Sequence, residues 1–324
     1  MLIKIGYEFI FQMETPSLML LMVAIHPDRE HTVRRHNGML IEPYIPIEEF
    51  SDVYGNRCRR IFAPVGRLRL WDEMVVEDLG LPDPVVPWAR QHPAQELPSE
   101  TLLFLHASRY CEVDRLMEVA WRLFGGAPEG WGRVQAVCNW VNANVRFDYQ
   151  AARPTKTAYE VFVERVGVCR DFAHLALTFC RCLCIPARYA TGYLGDIGVP
   201  IVPCPMDFSG WFEVYLGGRW YTFDARHNVP RIGRVLLARG RDAADVAMTT
   251  SFGKNTLQRF TVWTDEITGG DCSEFPCPTK IFPAYSASST WRDPRRLGQC
   301  ERYNLSPTTR KARALLPFPP CGIQ

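Results

Sequence analysis

The sequence predicts an α+β protein, because segments with strand periodicity are followed by helical segments and then by further strands. Residues 1–98 contain short stretches in which apolar and polar residues alternate, such as IKIGYEFIF and LMLLMVAI. Turn residues separate these stretches, for example Gly55-Asn56. Alternation with intervening turns is typical of an antiparallel β-sandwich-like domain, which we assign to residues 1–98.

A second domain is predicted over residues 99–266, where the apolar spacing becomes helical. A proline-dense segment, PDPVVPWARQHPAQELP, precedes it and has the composition of a linker. The spacing predicts one helix over 99–124 with Ser99 as its N-cap, and two more in GWGRVQAVCNWVNANVRF and TKTAYEVFVERV. A fourth helix is followed by strand-like segments: ARYATGYLG, WFEVYL, RWYTFDA and QRFTVWTDE.

Residues 267–324 form a third segment, which we expect to be a poorly ordered tail. Pro, Ser, Arg and Cys occur there without a sustained period. Its four cysteines, Cys272, Cys277, Cys300 and Cys321, match no compact zinc spacing, and no histidine accompanies them. We therefore expect neither a metal nor a cofactor in this chain.

The composition is that of an ordinary globular protein: 324 residues, 47% hydrophobic and 22% charged, with a formal net charge of +2. This charge gives no reason to expect nucleic acid or an acidic substrate as a partner. The N-terminal MLIKIGYEFIFQ alternates like a strand rather than a signal peptide, and SLMLLMVAI is too short to cross a bilayer. Several of the 12 cysteines fall in one predicted helix, where neighbours cannot pair. We expect a reduced, cytoplasmic chain with no membrane partner.

The stretch most informative about function is GVCRDFAHLALTFCRCLC, in which Cys169 follows a Gly-Val pair and precedes an apolar run. This arrangement is typical of a nucleophilic cysteine at the start of a buried helix. Gly167 would permit a tight turn, and the free N–H groups of the first helical turn would lower the pKa of the thiol. Cys169 is therefore the candidate nucleophile.

A second stretch, DFSGWFEVYLGGRWYTFDARHN, predicts two strands joined by Gly217-Gly218, the second ending in Asp224. Together the two stretches resemble the transglutaminase-like superfamily of cysteine enzymes, in its bacterial protease branch. The resemblance implies a papain-like core, thiol-based amide chemistry, and the role of third triad member for Asp224. Two residues before Trp211, where that family carries its catalytic histidine, this chain has Ser209.

The absence of that histidine matters because imidazole takes the thiol proton and later protonates the leaving amine. Ser209 can do neither at neutral pH. His174 follows Cys169 by five residues, which on an ideal helix is a rotation of about 140° away from the thiol, so a packing or hydrogen-bonding role is expected. His227 follows Asp224 by three residues, and a loop there could return its ring towards Cys169. His227 is therefore the candidate substitute base.

The sequence predicts a cysteine enzyme that acts on amide or peptide bonds by hydrolysis, deamidation or acyl transfer, with a peptide or protein amide as substrate. Its candidate site residues are Cys169, Asp224, Ser209 and His227. Two alternatives stay open at this point. One is a weak or inactive relative that binds peptides or proteins in the same cleft, and the other is a non-hydrolytic thiol enzyme.

Overall fold

The computed structural model describes residues 1–201 and 206–268, together with the backbone of residues 313–314. The α-helices of these residues are α1 Ser99–Leu102, α2 Val113–Phe124, α3 Trp131–Asn144, α4 Ala158–Glu164 and α5 Cys169–Cys182. Short 3₁₀ turns occupy Pro27–Thr32, Ala94–Glu96, Leu103–Leu105 and Tyr149–Ala151. The tail predicted at 267–324 lies almost entirely outside the described residues, as do its four cysteines, so that prediction stays open.

The strands build the larger part of the fold. They are β1 Leu2–Met13, β2 Ser17–Leu21, β3 Val33–His36, β4 Leu40–Glu42, β5 Glu48–Ser51, β6 Arg57–Ala63, β7 Gly66–Glu77, β8 Arg146–Phe147, β9 Val166–Gly167, β10 Ala187–Tyr193, β11 Ser209–Leu216, β12 Arg219–Phe223, β13 Val235–Gly240, β14 Thr249–Ser251, β15 Asn255–Ile267 and β16 Arg313–Ala314. Three sheets run in the orders β15-β1-β7-β3, β16-β14-β2-β6-β5 and β12-β11-β10-β13. Strand β4 also pairs with β7, and β8 pairs in parallel with β9.

The first two sheets share one apolar core. Alternate residues of β1 point into it, among them Ile5 and Phe9, and they meet Met19 of β2, Ile61 of β6 and Leu70 of β7. Burying each such side chain contributes about 1.5–3 kcal/mol, which explains why the alternating pattern is strong enough to be seen in the sequence. The predicted antiparallel β-sandwich-like architecture of the N-terminal part is confirmed.

Two strands of this sandwich come from the end of the second predicted segment. Strand β15 hydrogen-bonds to β1 over nearly its whole length, and β14 pairs with β2. Without β15, the long apolar strand β1 would present an unpaired edge, which proteins avoid. The boundary predicted between residues 98 and 99 marks a change in sequence composition. The sheets of the N-terminal part also include strands from residues 249–267.

The second core surrounds helix α5, which is buried along its whole length. Helices α2, α3 and α4 contact α5, and strands β10 and β11 of the third sheet contact it too. Helices packed against an antiparallel sheet in this way confirm the α+β class. In the described part of the chain, no helix is long and apolar enough to cross a membrane.

The helix predicted over 99–124 is wrong as a single element. It is broken between α1 and α2, where the backbones of Ser108 and Cys111 pair with each other. The backbone N–H of Tyr110 donates to Asp242 Oδ2 at 2.8 Å, a tertiary hydrogen bond that replaces a helical one. The N-cap prediction for Ser99 is also wrong, because Pro98 occupies that position. The helices predicted after Gly130 and after Thr157 are confirmed as α3 and α4.

The proline-rich segment at 82–98 is fastened to the second core. The carbonyl of Ala89 accepts a hydrogen bond from the backbone N–H of Trp131 at 3.0 Å. The carbonyl of Arg90 accepts from the N–H of Gly217 at 2.9 Å. The side chain of Gln91 donates to the carbonyl of Leu183 at 2.9 Å. This segment therefore connects the two cores and is also part of the scaffold that carries the site.

Candidate active site

Cys169 is the first residue of α5, and its position is fixed by the two residues before it and by Asp171. The Asp171 carboxylate accepts a hydrogen bond from the backbone N–H of Val168 at 3.0 Å, which satisfies one free donor at the helix start. A Cβ on Gly167 would lie 2.6 Å from the Cβ of Asp171 and 2.7 Å from its Oδ2. Gly167 is thus needed for the close approach of this carboxylate, rather than for the tight turn inferred from the sequence.

The Cys169 thiol is buried, and Cys169 is only 7% exposed. Burial raises the pKa of the Cys169 thiol, while the guanidinium of Arg226 and the backbone N–H of Gly210 oppose that rise. The expectation of a lowered pKa is wrong in direction, because desolvation of a thiolate outweighs the effect of the helix start. The resting thiol therefore keeps its proton at neutral pH, and nucleophilic chemistry at Cys169 requires a base.

A cavity of about 260 Å³ opens beside the thiol. Cys169, Ser209 and His227 all line it, together with Asp207 and Arg226. Three of the four candidate site residues thus face one space. The fourth, Asp224, lies behind the wall of the cavity and is joined to it through His227.

Asp224 follows the last residue of β12 and accepts hydrogen bonds at both oxygens. Its Oδ1 accepts from the backbone N–H groups of Arg226 at 3.0 Å and His227 at 3.1 Å. Its Oδ2 accepts from Nδ1 of His227 at 2.8 Å and from Nη2 of Arg234 at 2.9 Å. Burial alone would raise the pKa of Asp224, but Arg234 and His227 hold it well below its usual range. Asp224 is therefore ionised and acts only as an acceptor.

The loop after β12 turns the imidazole of His227 towards the cavity. The backbone N–H of Asn228 donates to the carbonyl of Asp224 at 2.8 Å, and Asn228 has a φ of 53° that closes this turn. Because the Asp224 carboxylate can only accept, Nδ1 of His227 carries the hydrogen in their contact. In the neutral ring the lone pair is then on Nε2, which is the tautomer a base needs.

Ser209 is the first residue of β11, opposite Gly192 of β10. Its backbone carbonyl accepts a hydrogen bond from the Thr191 hydroxyl at 3.0 Å, which anchors the start of the strand. Ser209 also lines the cavity.

His174 lies away from the cavity, as the helical rotation predicts. It is fully buried, and its Nε2 accepts a hydrogen bond from the backbone N–H of Ala243 at 3.1 Å. Its ring centroid lies 5.1 Å from that of Tyr110 and 5.1 Å from that of Tyr189. Burial lowers the pKa of His174 well below its usual value, so the ring is neutral. The predicted packing and hydrogen-bonding role of His174 is confirmed.

Two residues that sequence reasoning missed, Arg234 and Asp83, hold Asp224 in place. Nε of Arg234 donates to Asp83 Oδ2 at 2.8 Å, while its Nη2 reaches Asp224. The backbone N–H of Asp83 donates to the carbonyl of Arg231 at 2.9 Å, and Asp83 Oδ2 accepts from the backbone N–H of Arg231 at 2.9 Å. Asp83 belongs to the proline-rich segment, so the orientation of Asp224 depends on a residue far away in the sequence. The only sequence signals for these two residues were that Arg234 follows a glycine and that Asp83 lies between two prolines.

Asp207 is a further cavity residue without a sequence prediction. Burial raises the pKa of Asp207 well above its usual value, although the N–H of Phe208 and the charge of Arg226 oppose this. Among residues 1–201 and 206–268, no three His, Cys, Asp or Glu side chains are grouped as metal ligands.

Comparison with known proteins gives a family match and a similar solved structure. The family model of the transglutaminase-like superfamily matches residues 118–225, a range that contains Cys169, Ser209 and Asp224. A candidate cysteine protease from Cytophaga hutchinsonii has 31% sequence identity and a TM-score of 0.69, covering 83% of this chain and 91% of that one. An uncharacterized protein of Mycobacterium leprae is 28% identical over 117 residues, which is 35% of this chain. The match spans 42% of the length of the Mycobacterium protein.

The chain belongs to the transglutaminase-like superfamily. The resemblance inferred from the two sequence stretches is thereby confirmed. The matched range ends at residue 225, just before Arg226 and His227. Those two residues are therefore assigned from the geometry of the site alone.

Proposed function

We propose that this protein is a cysteine amidase or peptidase in which Cys169 is the nucleophile, His227 the base and Asp224 the residue that orients His227. The observation that carries the proposal is the 2.8 Å contact between His227 Nδ1 and Asp224 Oδ2 on the wall of the Cys169 cavity. A cysteine nucleophile, an imidazole and an orienting carboxylate are the three parts that such chemistry uses.

In the first half of the reaction, the Cys169 sulfur attacks the carbonyl carbon of an amide while its proton passes to Nε2 of His227. The base is needed at this step because the buried thiol is protonated at rest. The ionised Asp224 stabilises the imidazolium that forms. His227 then gives the proton to the leaving nitrogen, the carbon–nitrogen bond breaks, and an acyl thioester remains on Cys169.

The negative charge on the carbonyl oxygen needs hydrogen-bond donors during this step. Cys169 is the first residue of α5, so its backbone N–H has no helical acceptor and can serve as one donor of an oxyanion hole.

In the second half, a second nucleophile attacks the thioester and His227 takes its proton. The carbon–sulfur bond then breaks, and the Cys169 thiolate recovers the proton from His227. Water gives hydrolysis of a peptide bond, or deamidation where the amide belongs to a side chain. A primary amine gives acyl transfer. The same residues perform all three reactions, so the amide attacked and the acyl acceptor together determine which product forms. We include a cytoplasmic location in the proposal, because the seven cysteines in the described part of the chain are all free thiols.

The proposal is tested by incubating the enzyme with a mixture of peptides from unfolded proteins and a primary amine such as cadaverine. Mass spectrometry then distinguishes cleaved peptides, deamidated glutamines and amine adducts. We expect at least one of these products with the wild type, and none with Cys169→Ser. With His227→Gln the rate should fall by about 10²–10⁴-fold, the usual contribution of general acid–base catalysis.

Two results would contradict the proposal. Equal product formation by wild type and Cys169→Ser would show that the thiol is not the nucleophile. No product with any peptide, combined with retention of peptides by the folded protein, would favour the alternative of a binding protein that uses the same cleft.

A further inference from the structure

The side chain of Arg226 enters the Cys169 cavity from a backbone that is held on both sides. Its N–H donates to Asp224 Oδ1 at 3.0 Å, and its carbonyl accepts from Nδ2 of Asn142 at 2.7 Å. Its guanidinium carbon lies 3.8 Å from the centroid of the Phe147 ring. A guanidinium stacked on a ring keeps its N–H groups free along the edges, where they can bind a planar anion.

Arg226 has no ion-pair partner among the carboxyl groups of the cavity. Two carboxyl groups line the same space, Asp196 and Asp207. Asp196 lies 3.7 Å from Nη2 of Arg231, so it already faces a cation of its own. Asp207 Oδ1 accepts a hydrogen bond from the backbone N–H of Phe208 at 2.7 Å. Within the described residues, no carboxylate lies close enough to Arg226 to form an ion pair. The guanidinium beside the nucleophile is thus left without a partner of opposite charge among these residues.

We propose that Arg226 binds a carboxylate of the substrate, so that the preferred acyl donors carry an anionic group close to the amide that Cys169 attacks. Paired N–H groups of a guanidinium match the two oxygens of a carboxylate, which gives both binding and orientation. The inference rests on the proposed function only in placing the reacting amide at Cys169. It adds the chemical class of the substrate, which the catalytic residues alone do not specify.

The test compares two alkylating reagents of nearly equal size, the anion iodoacetate and the neutral iodoacetamide. Both form a bond from the Cys169 sulfur to the methylene carbon and release iodide. Peptide-level mass spectrometry follows the extent of reaction at each cysteine. Cys184 is exposed and serves as a reference in the same molecule. The measured quantity is the ratio of the iodoacetate rate to the iodoacetamide rate at Cys169, divided by the same ratio at Cys184.

We expect this relative preference for the anion to be about fivefold or more in the wild type, the size expected for one nearby charge in a solvated site. Arg226→Met should abolish it, because methionine keeps the packing against Phe147 but not the charge. Arg226 also opposes the rise in the pKa of Cys169, so both alkylation rates should fall in this variant. The ratio of the iodoacetate rate to the iodoacetamide rate therefore isolates the effect of Arg226 on the anion. Arg219→Met is the matched control, since Arg219 stacks 4.6 Å above the Tyr221 ring on an exposed surface.

A wild-type ratio equal to that of Cys184, or one unchanged by Arg226→Met, would overturn the inference. If neither reagent modifies Cys169, the thiol is not accessible and the proposed function fails. The role of Arg226 is then tested separately by a binding measurement. For this purpose, Cys169→Ser is titrated with N-acetylglycine and with its neutral amide. Tighter binding of N-acetylglycine that is lost on adding Arg226→Met supports the inference, and equal binding of the two probes refutes it.

Discussion

Replacing Arg234 with methionine perturbs the His227 and Asp224 pair while leaving both residues in place. The guanidinium of Arg234 donates to Asp224 at 2.9 Å and to Asp83 at 2.8 Å. Methionine removes the charge but keeps much of the apolar volume beside Asp224. The Asp224 carboxylate would retain its two backbone donors and His227. The variant therefore isolates the effect of one buried positive charge on Asp224, which orients the candidate base.

The size of that effect follows from the geometry. Arg234 donates to Asp224 at 2.9 Å, so the guanidinium and carboxylate charges lie about 4 Å apart. At an effective dielectric constant of about 20, two opposite charges at that distance attract by about 4 kcal/mol, of which solvent screens a part. Arg234 is the nearest charge that holds the pKa of Asp224 down against burial, so without it the carboxyl takes up a proton at higher pH. A protonated Asp224 no longer stabilises the imidazolium of the reaction, so we expect activity to be lost on the acid side at a pH at least about one unit higher than in the wild type.

The same substitution also breaks a buried ion pair, which costs about 3–5 kcal/mol of folding free energy. Rates are therefore measured well below the melting temperature of the variant, with folding checked by circular dichroism. The assay is kcat/KM against pH on any substrate found in the peptide screen. Arg234→Lys is the matched control, because it keeps the charge and should leave the acid limb close to that of the wild type. A folded Arg234→Met whose acid limb does not move would refute the reasoning.

Three further predictions concern the walls of the cavity. Gly167→Ala should lower both stability, by about 1–3 kcal/mol in chemical denaturation, and activity, because the new Cβ would lie 2.6 Å from Asp171. Gly210→Ala should cost a similar amount, since its Cβ would lie 2.3 Å from the Tyr189 hydroxyl, and Tyr189→Phe in the same chain should recover part of the loss. No recovery would show that the hydroxyl is not the obstacle. Ser209→His should give no gain in turnover if the base is already present, whereas a large gain would show that the site lacks one.

The general fold and the place of Cys169 at the start of a buried helix could be predicted because local patterns encode them. Strand β1 is long and alternates regularly, and Cys169 precedes an apolar run that only a buried helix explains. The break between α1 and α2 could not be predicted, since it depends on the contact of Tyr110 with Asp242, far away in the chain. The addition of β15 to the N-terminal sheet is equally non-local.

The candidate site shows the same division. Asp224 directly follows a recognisable strand, so its place was accessible from the sequence. The direction of the His227 ring could not be predicted from the sequence, because it depends on a turn closed by the positive φ of Asn228 and on the lone pairs of Asp224. The raised pKa of Cys169 also escaped prediction, since the helix start is visible in the sequence whereas the extent of burial is not.

The central claim is that His227 is the base for Cys169, and chemical rescue tests it without knowledge of the substrate. The rate of Cys169 alkylation by iodoacetamide is measured at neutral pH for the wild type, for His227→Ala, and for His227→Ala with added imidazole. The account predicts a fall of at least about tenfold in the variant and recovery in proportion to the concentration of unprotonated imidazole. A His227→Ala protein that is folded and alkylated at the wild-type rate would contradict it.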